Sequence, residues 1–208
     1  VLVSVRSASV NPLDWHYMRG SPYLMRLGSG LGAPKVQGLG TDFAGTVEAV
    51  GRKVTRFKPG DEVFGGGGGS FAQKLVVRES GALTAKPANV SFEQAAAIPI
   101  AGVTALQALR DEGGIKPGMK VLINGASGGV GTFAVQLAKH FGAEVTGVSS
   151  TRNVELVRSL GADHVIDYTR KDFTAGGRQY DLILDNVGNH SPWKNSKVMT
   201  ADGTLVMI

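Results

Sequence analysis

The stretch Val121–Gly131, VLINGASGGVG, constrains this chain more than any other. Three apolar residues, Val121, Leu122 and Ile123, run into a turn carrying Gly125, Gly128, Gly129 and Gly131. The turn opens into a segment where Phe133, Ala134, Leu137, Ala138 and Phe141 recur at helical spacing, and Gly142 supplies a stop. A second apolar segment, Glu144–Val148, follows. The order is strand, glycine turn, helix, strand. Each glycine removes a side chain that would hold a pyrophosphate away from the backbone, and the N–H groups that open a helix favour an anion. A glycine fingerprint alone is a weak signal, but flanking strands and a helix supply the context that gives it meaning. The pattern predicts a dinucleotide site built from Gly125, Ala126, Ser127, Gly128, Gly129, Val130 and Gly131.

The tip of the second strand bears on which dinucleotide binds. NAD-binding units place an acidic residue about twenty positions on, where it takes the ribose 2′-OH. Here the tip reads Ser149-Ser150-Thr151-Arg152, with no carboxylate. Hydroxyls and a guanidinium suit a 2′-phosphate, so Ser149, Ser150 and Arg152 point to NADPH rather than NADH. Tyr168, closing the next strand, is placed to cover the adenosine end. Asn186 ends the strand after that, at the carboxyl edge where ligands of such sheets bind.

From Lys120 onward strands alternate with helices, which implies a parallel, doubly wound sheet. Expected elements are Val121–Asn124, Thr132–Phe141, Glu144–Val148, Asn153–Leu160, His164–Tyr168 and Leu182–Asn186, then a helix after His190 and a strand at 204–208. Ahead of it, Ser91 to Gln94 forms a capping box, and the helical segment to Arg110 is interrupted at Pro99. The first part of the chain reads differently. Strands are expected at Val1–Val10, Thr46–Val50, within Pro59–Phe64 and at Phe71–Val77, separated by Gly/Pro turns, with a short helix or loop at Leu13–Gly20 and a Gly/Pro-rich excursion from Ser21 to Gly40. That spacing suggests a small β-barrel. Gly65 to Gly69 is an unbroken glycine run, read as a flexible loop or as a place where backbone must approach a ligand.

The chain contains no cysteine, which excludes disulfides, thiolate metal sites and cysteine nucleophiles and fits a reducing compartment such as the cytoplasm. No apolar run is long enough to span a bilayer. The net charge is +5, but no Lys/Arg stripe with interleaved aromatics marks a nucleic-acid interface.

Several stretches together carry a resemblance: SVNPLDW (Ser9–Trp15), GTDFAGTVEAVG (Gly40–Gly51), FKPGDEVF (Phe57–Phe64), AAAIPIAGVTALQAL (Ala95–Leu109), GASGGVG (Gly125–Gly131), LGADHVIDY (Leu160–Tyr168) and DLILDNVG (Asp181–Gly188). In this order they resemble the zinc-free medium-chain dehydrogenases/reductases, in the quinone oxidoreductase and zeta-crystallin branch. The resemblance implies a GroES-like barrel domain, residues 1–94, followed by a Rossmann domain, residues 95–208, with the nicotinamide between them. It also implies that the chain is truncated at its C-terminal end, since the family continues past this point. Zinc alcohol dehydrogenases carry Cys where this chain has Asn11, and His within Gly-His-Glu where it has Thr41. No metal ligands are therefore expected.

The same resemblance implies site residues. Asn11 falls where the family places an amide beside nicotinamide and substrate. Asp14, Tyr17 and Tyr23, in the same loop, are candidate proton donors or orienters. Thr104 matches a position near the nicotinamide ribose, and Asp42 matches an acidic position read as structural. The expected partner is a small-molecule quinone or enone, and a homodimer is allowed. A short-chain dehydrogenase is excluded because neither Tyr168 nor Tyr180 is followed four positions later by Lys. Two other classes stay open: a non-catalytic NADPH-binding or interaction protein, and an RNA binder, for which the sequence offers no specific support.

Overall fold

The computed structural model describes residues 1–21, 23, 26 and 38–208. Most of the excursion expected from Ser21 to Gly40 lies outside them. The chain divides into two compact units, Val1–Ile100 and Ala101–Ile208.

In the first unit, β1 (Leu2–Ser9), β2 (Asp42–Ala49), β3 (Glu62–Gly66), β4 (Lys74–Val76) and β5 (Leu83–Ala85) form one antiparallel sheet in the order β4-β1-β2-β3-β5. Among the described residues β4 and β5 are its edges and do not close on each other. Val3, Phe43, Val47, Val63, Leu75 and Leu83 supply its core. Helix α1 (Pro12–Arg19) starts with Pro at its first position and stops at Gly20, whose φ of 58° only glycine adopts readily. Helix α2 (Phe92–Ala96) is opened by the expected capping box: the Gln94 N–H donates to Ser91 Oγ, and the Ser91 N–H donates to the Gln94 side chain. Ala95 and Ala96 are buried with Ala44 of β2. That packing carries the division past Gln94 to Ile100.

Three expectations change here. The strand expected at Phe71–Val77 is reduced to β4, because the N–H groups of Ser70 and Phe71 turn back to the carbonyls of Gly40 and Leu39. β2 begins at Asp42, earlier than expected, and β5 was not anticipated. The glycine run is packed rather than loose. A Cβ on Gly65 would overlap the Ala82 carbonyl oxygen, and one on Gly38 would come within 2.7 Å of Gly69 Cα. Two close backbone approaches therefore demand the missing side chains.

In the second unit, β6 (Lys120–Asn124), β7 (Glu144–Ser149), β8 (His164–Asp167), β9 (Tyr180–Asp185) and β10 (Met199–Met207) form a parallel sheet in the order β10-β9-β6-β7-β8. The connections run through α4 (Gly129–His140), α5 (Val154–Ser159) and α6 (Pro192–Ser196). α3 (Pro99–Gln107) precedes them and ends in a wider turn at Ala108–Glu112. Both faces of the sheet are buried, as parallel sheets require. Val121, Ile123, Val145, Leu182 and Leu184 pack on one side with Ala134, Val135, Ala138 and Val157 from the helices. Leu122, Val148 and Ile183 pack on the other with Phe173, Tyr180 and Val198. Strand order reverses between β6 and β9, the point at which such sheets open for a ligand. No described helix is long and apolar enough to cross a membrane.

Candidate functional site

The glycine turn joins β6 to α4 as expected. Gly125 has a φ of 78°, and a Cβ on Gly131 would overlap the Gly125 carbonyl oxygen and lie 2.8 Å from Ala126 Cα. Gly131 therefore lets the first turn of α4 press onto the loop. Ala126 is fully buried, and its N–H donates to Val148 O at 3.0 Å, fastening the loop to β7. The Gly128 N–H donates back to Gly125 O. The first turn of α4 leaves N–H groups at Gly129, Val130 and Gly131 without intrahelical acceptors. Small residues and free donors at a helix start fit a pyrophosphate. Ala101 of α3 lies 3.9 Å from where a Cβ on Gly129 would be. Half-buried Thr104 follows one turn along the same helix face.

The β7 tip departs in part from expectation. Ser149 is buried, and its hydroxyl donates to the Ser150 carbonyl at 3.4 Å, so it presents no donor at the tip. Ser150 is half-buried and Arg152 exposed; Arg152 makes no side-chain hydrogen bond or ion pair among the described residues. Tyr168 is largely exposed and donates its backbone N–H to Ser149 O. A carboxylate does stand near this tip, supplied by the neighbouring strand. Asp167 ends β8 in register with Ser149 and accepts the Thr151 hydroxyl at 2.5 Å. Hydrogen bonds from Thr151 and Thr169 and the charge of Arg170 hold it below the usual carboxylate range, against the pull of burial.

At the reversal point, a polar knot closes the ends of β6 and β9. Asp185 is fully buried and accepts Asn124 Nδ2 at 2.9 Å, Asn195 Nδ2 at 3.3 Å, and the N–H groups of Val187 and Gly188 at 3.0 Å each. Burial pushes its carboxyl up, but these donors outweigh it and leave it below the ordinary range. Asn186 turns its amide nitrogen onto Asn124 O at 3.0 Å, and its buried Oδ1 has no partner among the described residues. It braces the end of β6 and keeps its second amide hydrogen. Asn124 and Asp185 were not singled out in the sequence, although each is a polar residue terminating an otherwise apolar strand. Asn153, which links the β7 tip to the glycine turn, carries no comparable signal.

The first unit holds a second cluster, where β1 gives way to α1. Asp42, wholly buried at the start of β2, accepts Asn11 Nδ2 at 3.1 Å, Ser9 Oγ at 3.2 Å and the Ile100 N–H at 3.1 Å, all on Oδ2. Its Oδ1 is buried without a partner among the described residues. Burial dominates and raises its carboxyl above the usual range, with the nearby charge of Asp14 adding to the effect. Asn11 Nδ2 also donates to Ser9 Oγ at 3.2 Å. Ser9 Oγ and Asp42 Oδ2 are themselves 3.2 Å apart, so they share one amide hydrogen of Asn11, and its second hydrogen and its amide oxygen stay available. Asp14 is an acceptor in the same cluster. It is buried, its Oδ2 accepts the Asn11 N–H at 2.7 Å and its Oδ1 accepts the Thr41 hydroxyl at 3.0 Å. It accepts both bonds and so opens α1. Tyr17 is about half exposed, whereas Tyr23 is 79% exposed with Arg26 over its ring. The side-chain hydroxyls of Tyr17 and Tyr23 make no hydrogen bond among the described residues.

Residues 1–88 match the family model described as alcohol dehydrogenase GroES-like domain, and residues 129–208 match zinc-binding dehydrogenase. A chloroplast envelope quinone oxidoreductase homolog of Arabidopsis thaliana is 42% identical, covering 88% of this chain and 58% of the relative. The 2-methylene-furan-3-one reductase of Solanum lycopersicum is 37% identical over 100% of this chain and 54% of its own. Among solved structures, the quinone oxidoreductase from Coxiella burnetii superposes with a TM-score of 0.89 at 34% identity, covering 99% of this chain and 65% of that one. The chain thus spans less than two thirds of the length of these relatives.

Proposed function

Because this chain belongs to the medium-chain dehydrogenase/reductase family, in its quinone oxidoreductase branch, we propose that it is an NADPH-dependent, zinc-independent reductase of quinones or α,β-unsaturated carbonyls. The observation that carries this reading is the glycine cradle at the β6–α4 turn: Gly131 is packed where a Cβ would fill the loop, and unpaired helix-start donors lie beside it. Gly125 to Gly131 would hold the pyrophosphate, Ser150 and Arg152 the 2′-phosphate, Tyr168 the adenosine end, and Thr104 with Asn186 the ribose nearer the nicotinamide. Bound NADPH supplies a hydride. Everything else falls to the chain's own side chains.

Asn11 and Thr41 stand where zinc enzymes of this family carry ligands, and no cysteine exists anywhere in the sequence. Without a Lewis acid, a simple ketone is poorly polarised. A substrate already activated by conjugation needs less help. It accepts hydride at the β-carbon or the ring, and negative charge gathers on its carbonyl oxygen, where a fixed donor counts most. We assign that donor, and the proton that completes the reduction, to the Tyr17 hydroxyl, with Tyr23 or water as its substitute. Asn11 shapes the loop and keeps one amide hydrogen as a second candidate donor to that oxygen. Lack of cysteine suits a reducing compartment such as the cytoplasm.

The test is NADPH oxidation against a panel of quinones, enones and saturated aldehydes. Turnover with the conjugated substrates and not with saturated aldehydes is expected. Turnover of saturated aldehydes alone would overturn the substrate class, and NADPH binding without any turnover would favour a non-catalytic binding protein.

A further inference from the structure

Asn153 touches both ends of the cofactor cradle. Its Nδ2 donates to Ser127 Oγ, inside the glycine turn, at 3.0 Å and to Ser150 Oγ, at the β7 tip, at 3.5 Å. Its own N–H donates to the Ser150 carbonyl at 2.9 Å, which fixes the amide above that residue. The first contact joins residues 26 apart in sequence, so it ties two separate loops together. All three residues are half-buried, which limits the solvent screening of the amide.

An amide N–H is only a donor, so each serine oxygen serves as its acceptor. Each serine therefore keeps its own hydrogen, and neither hydroxyl donates to any described protein group. One amide thus leaves two hydroxyl hydrogens without a partner among the described residues, one in the pyrophosphate turn and one at the strand tip, where exposed Arg152 also stands. Phosphate oxygens only accept, so this is the polarity an anion requires.

We propose that Asn153 is a specificity-determining residue that couples the pyrophosphate turn to the 2′-phosphate tip by orienting Ser127 and Ser150 together. The proposal rests on the NADPH reading given above. It also explains how a tip whose Ser149 is turned inward still recognises a second phosphate: the donor is Ser150, and Asn153 sets its hydrogen. Aspartate at this position would reverse the polarity. A carboxylate accepts both hydroxyl hydrogens and adds negative charge beside both phosphates.

Calorimetric binding of 2′-phospho-ADP-ribose and of ADP-ribose separates the two sites without any turnover. Asn153→Ala is expected to weaken 2′-phospho-ADP-ribose about tenfold and ADP-ribose about threefold, as for misdirected hydrogen bonds to charged groups. Asn153→Asp should weaken both further, with the larger loss again for the 2′-phosphorylated ligand. Ser150→Ala should reproduce only the 2′-phosphate part, and Ser127→Ala should weaken both ligands alike. A wild-type protein that holds the two ligands equally would overturn the NADPH reading. A wild-type preference left intact in both Asn153 variants would overturn the role of Asn153, as would equal losses for the two ligands.

Discussion

The amide of Asn11, itself half-buried, is held by the fully buried carboxylate of Asp42, with 3.1 Å between Nδ2 and Oδ2. Ser9 Oγ lies on the same side of the amide, so Asn11 is anchored through one hydrogen and keeps the other. Tyr17→Phe is expected to lower kcat by about 10²–10⁴-fold, the range of a lost general acid, with NADPH affinity unchanged. Asn11→Ala should cost less in kcat and more in thermal stability. Steady-state kinetics beside melting curves would check the split. A larger kcat loss in Asn11→Ala than in Tyr17→Phe would return the donor role to the amide.

Arg152 places an exposed cation at the β7 tip. Arg152→Ala should weaken NADPH by about 1.5–3 kcal/mol, the worth of a hydrogen bond to a charged group, and leave NADH within error. The carboxylate of Asp167, fastened to Thr151 in the same region, opposes a second phosphate through its charge. Asp167→Asn should accordingly shift the NADPH-to-NADH affinity ratio upward. Ratios identical to wild type in both variants would remove charge at the tip as the selector.

Much of the second unit is legible in the sequence, because its strands are buried on both faces and read as apolar runs between glycine stops. Val121–Asn124 and Leu182–Asp185 are plain for that reason. The first unit is less so. β4 and β5 are three residues each, too short for alternation to register, and Phe71 is diverted by a hydrogen bond to Leu39 that no local pattern announces. The site divides in the same way. Gly125 and Gly131 are visible because their chemistry is local to one turn. Asn153, Asp42 and Asp185 act through partners 26, 31 and 61 positions away, and only the folded chain brings those partners together. Ser149 shows the converse: a hydroxyl at the expected position, but buried at the end of a strand covered on both faces.

Gly131→Ala tests the cradle itself. The added Cβ would meet the Gly125 carbonyl and the Ala126 backbone, and backbone cannot yield as a side chain does. The expected cost is about 1–3 kcal/mol in stability, typical of overpacking, with NADPH affinity falling alongside. Gly177→Ala, which meets nothing within 4 Å, is the control. Matching melting temperatures and cofactor affinities in the two variants would show that the turn tolerates a side chain and is not shaped for close approach.

Asp42 and Asp185 are both closed to solvent yet lean in opposite directions. Burial raises Asp42 above the ordinary aspartate range, and the donors Ile100, Asn11 and Ser9 do not offset it. Burial also pulls on Asp185, but the N–H groups of Gly188 and Val187 with the amides of Asn124 and Asn195 prevail and hold it low. Linkage gives the two carboxyls opposite slopes of stability with pH. At Asp42 the folded state binds the proton more tightly than the unfolded chain. Its contribution is therefore greatest below the unfolded pKa and declines as pH rises from there through the raised folded pKa. At Asp185 the folded state prefers the ionised form, so its contribution is full above the unfolded pKa and is lost as pH falls through the depressed folded pKa. Denaturant unfolding between about pH 3 and pH 7 would resolve both. The stability of wild type relative to Asp42→Asn should fall with rising pH, and that relative to Asp185→Asn should rise. Slopes of the same sign for the two variants would contradict the assigned environments.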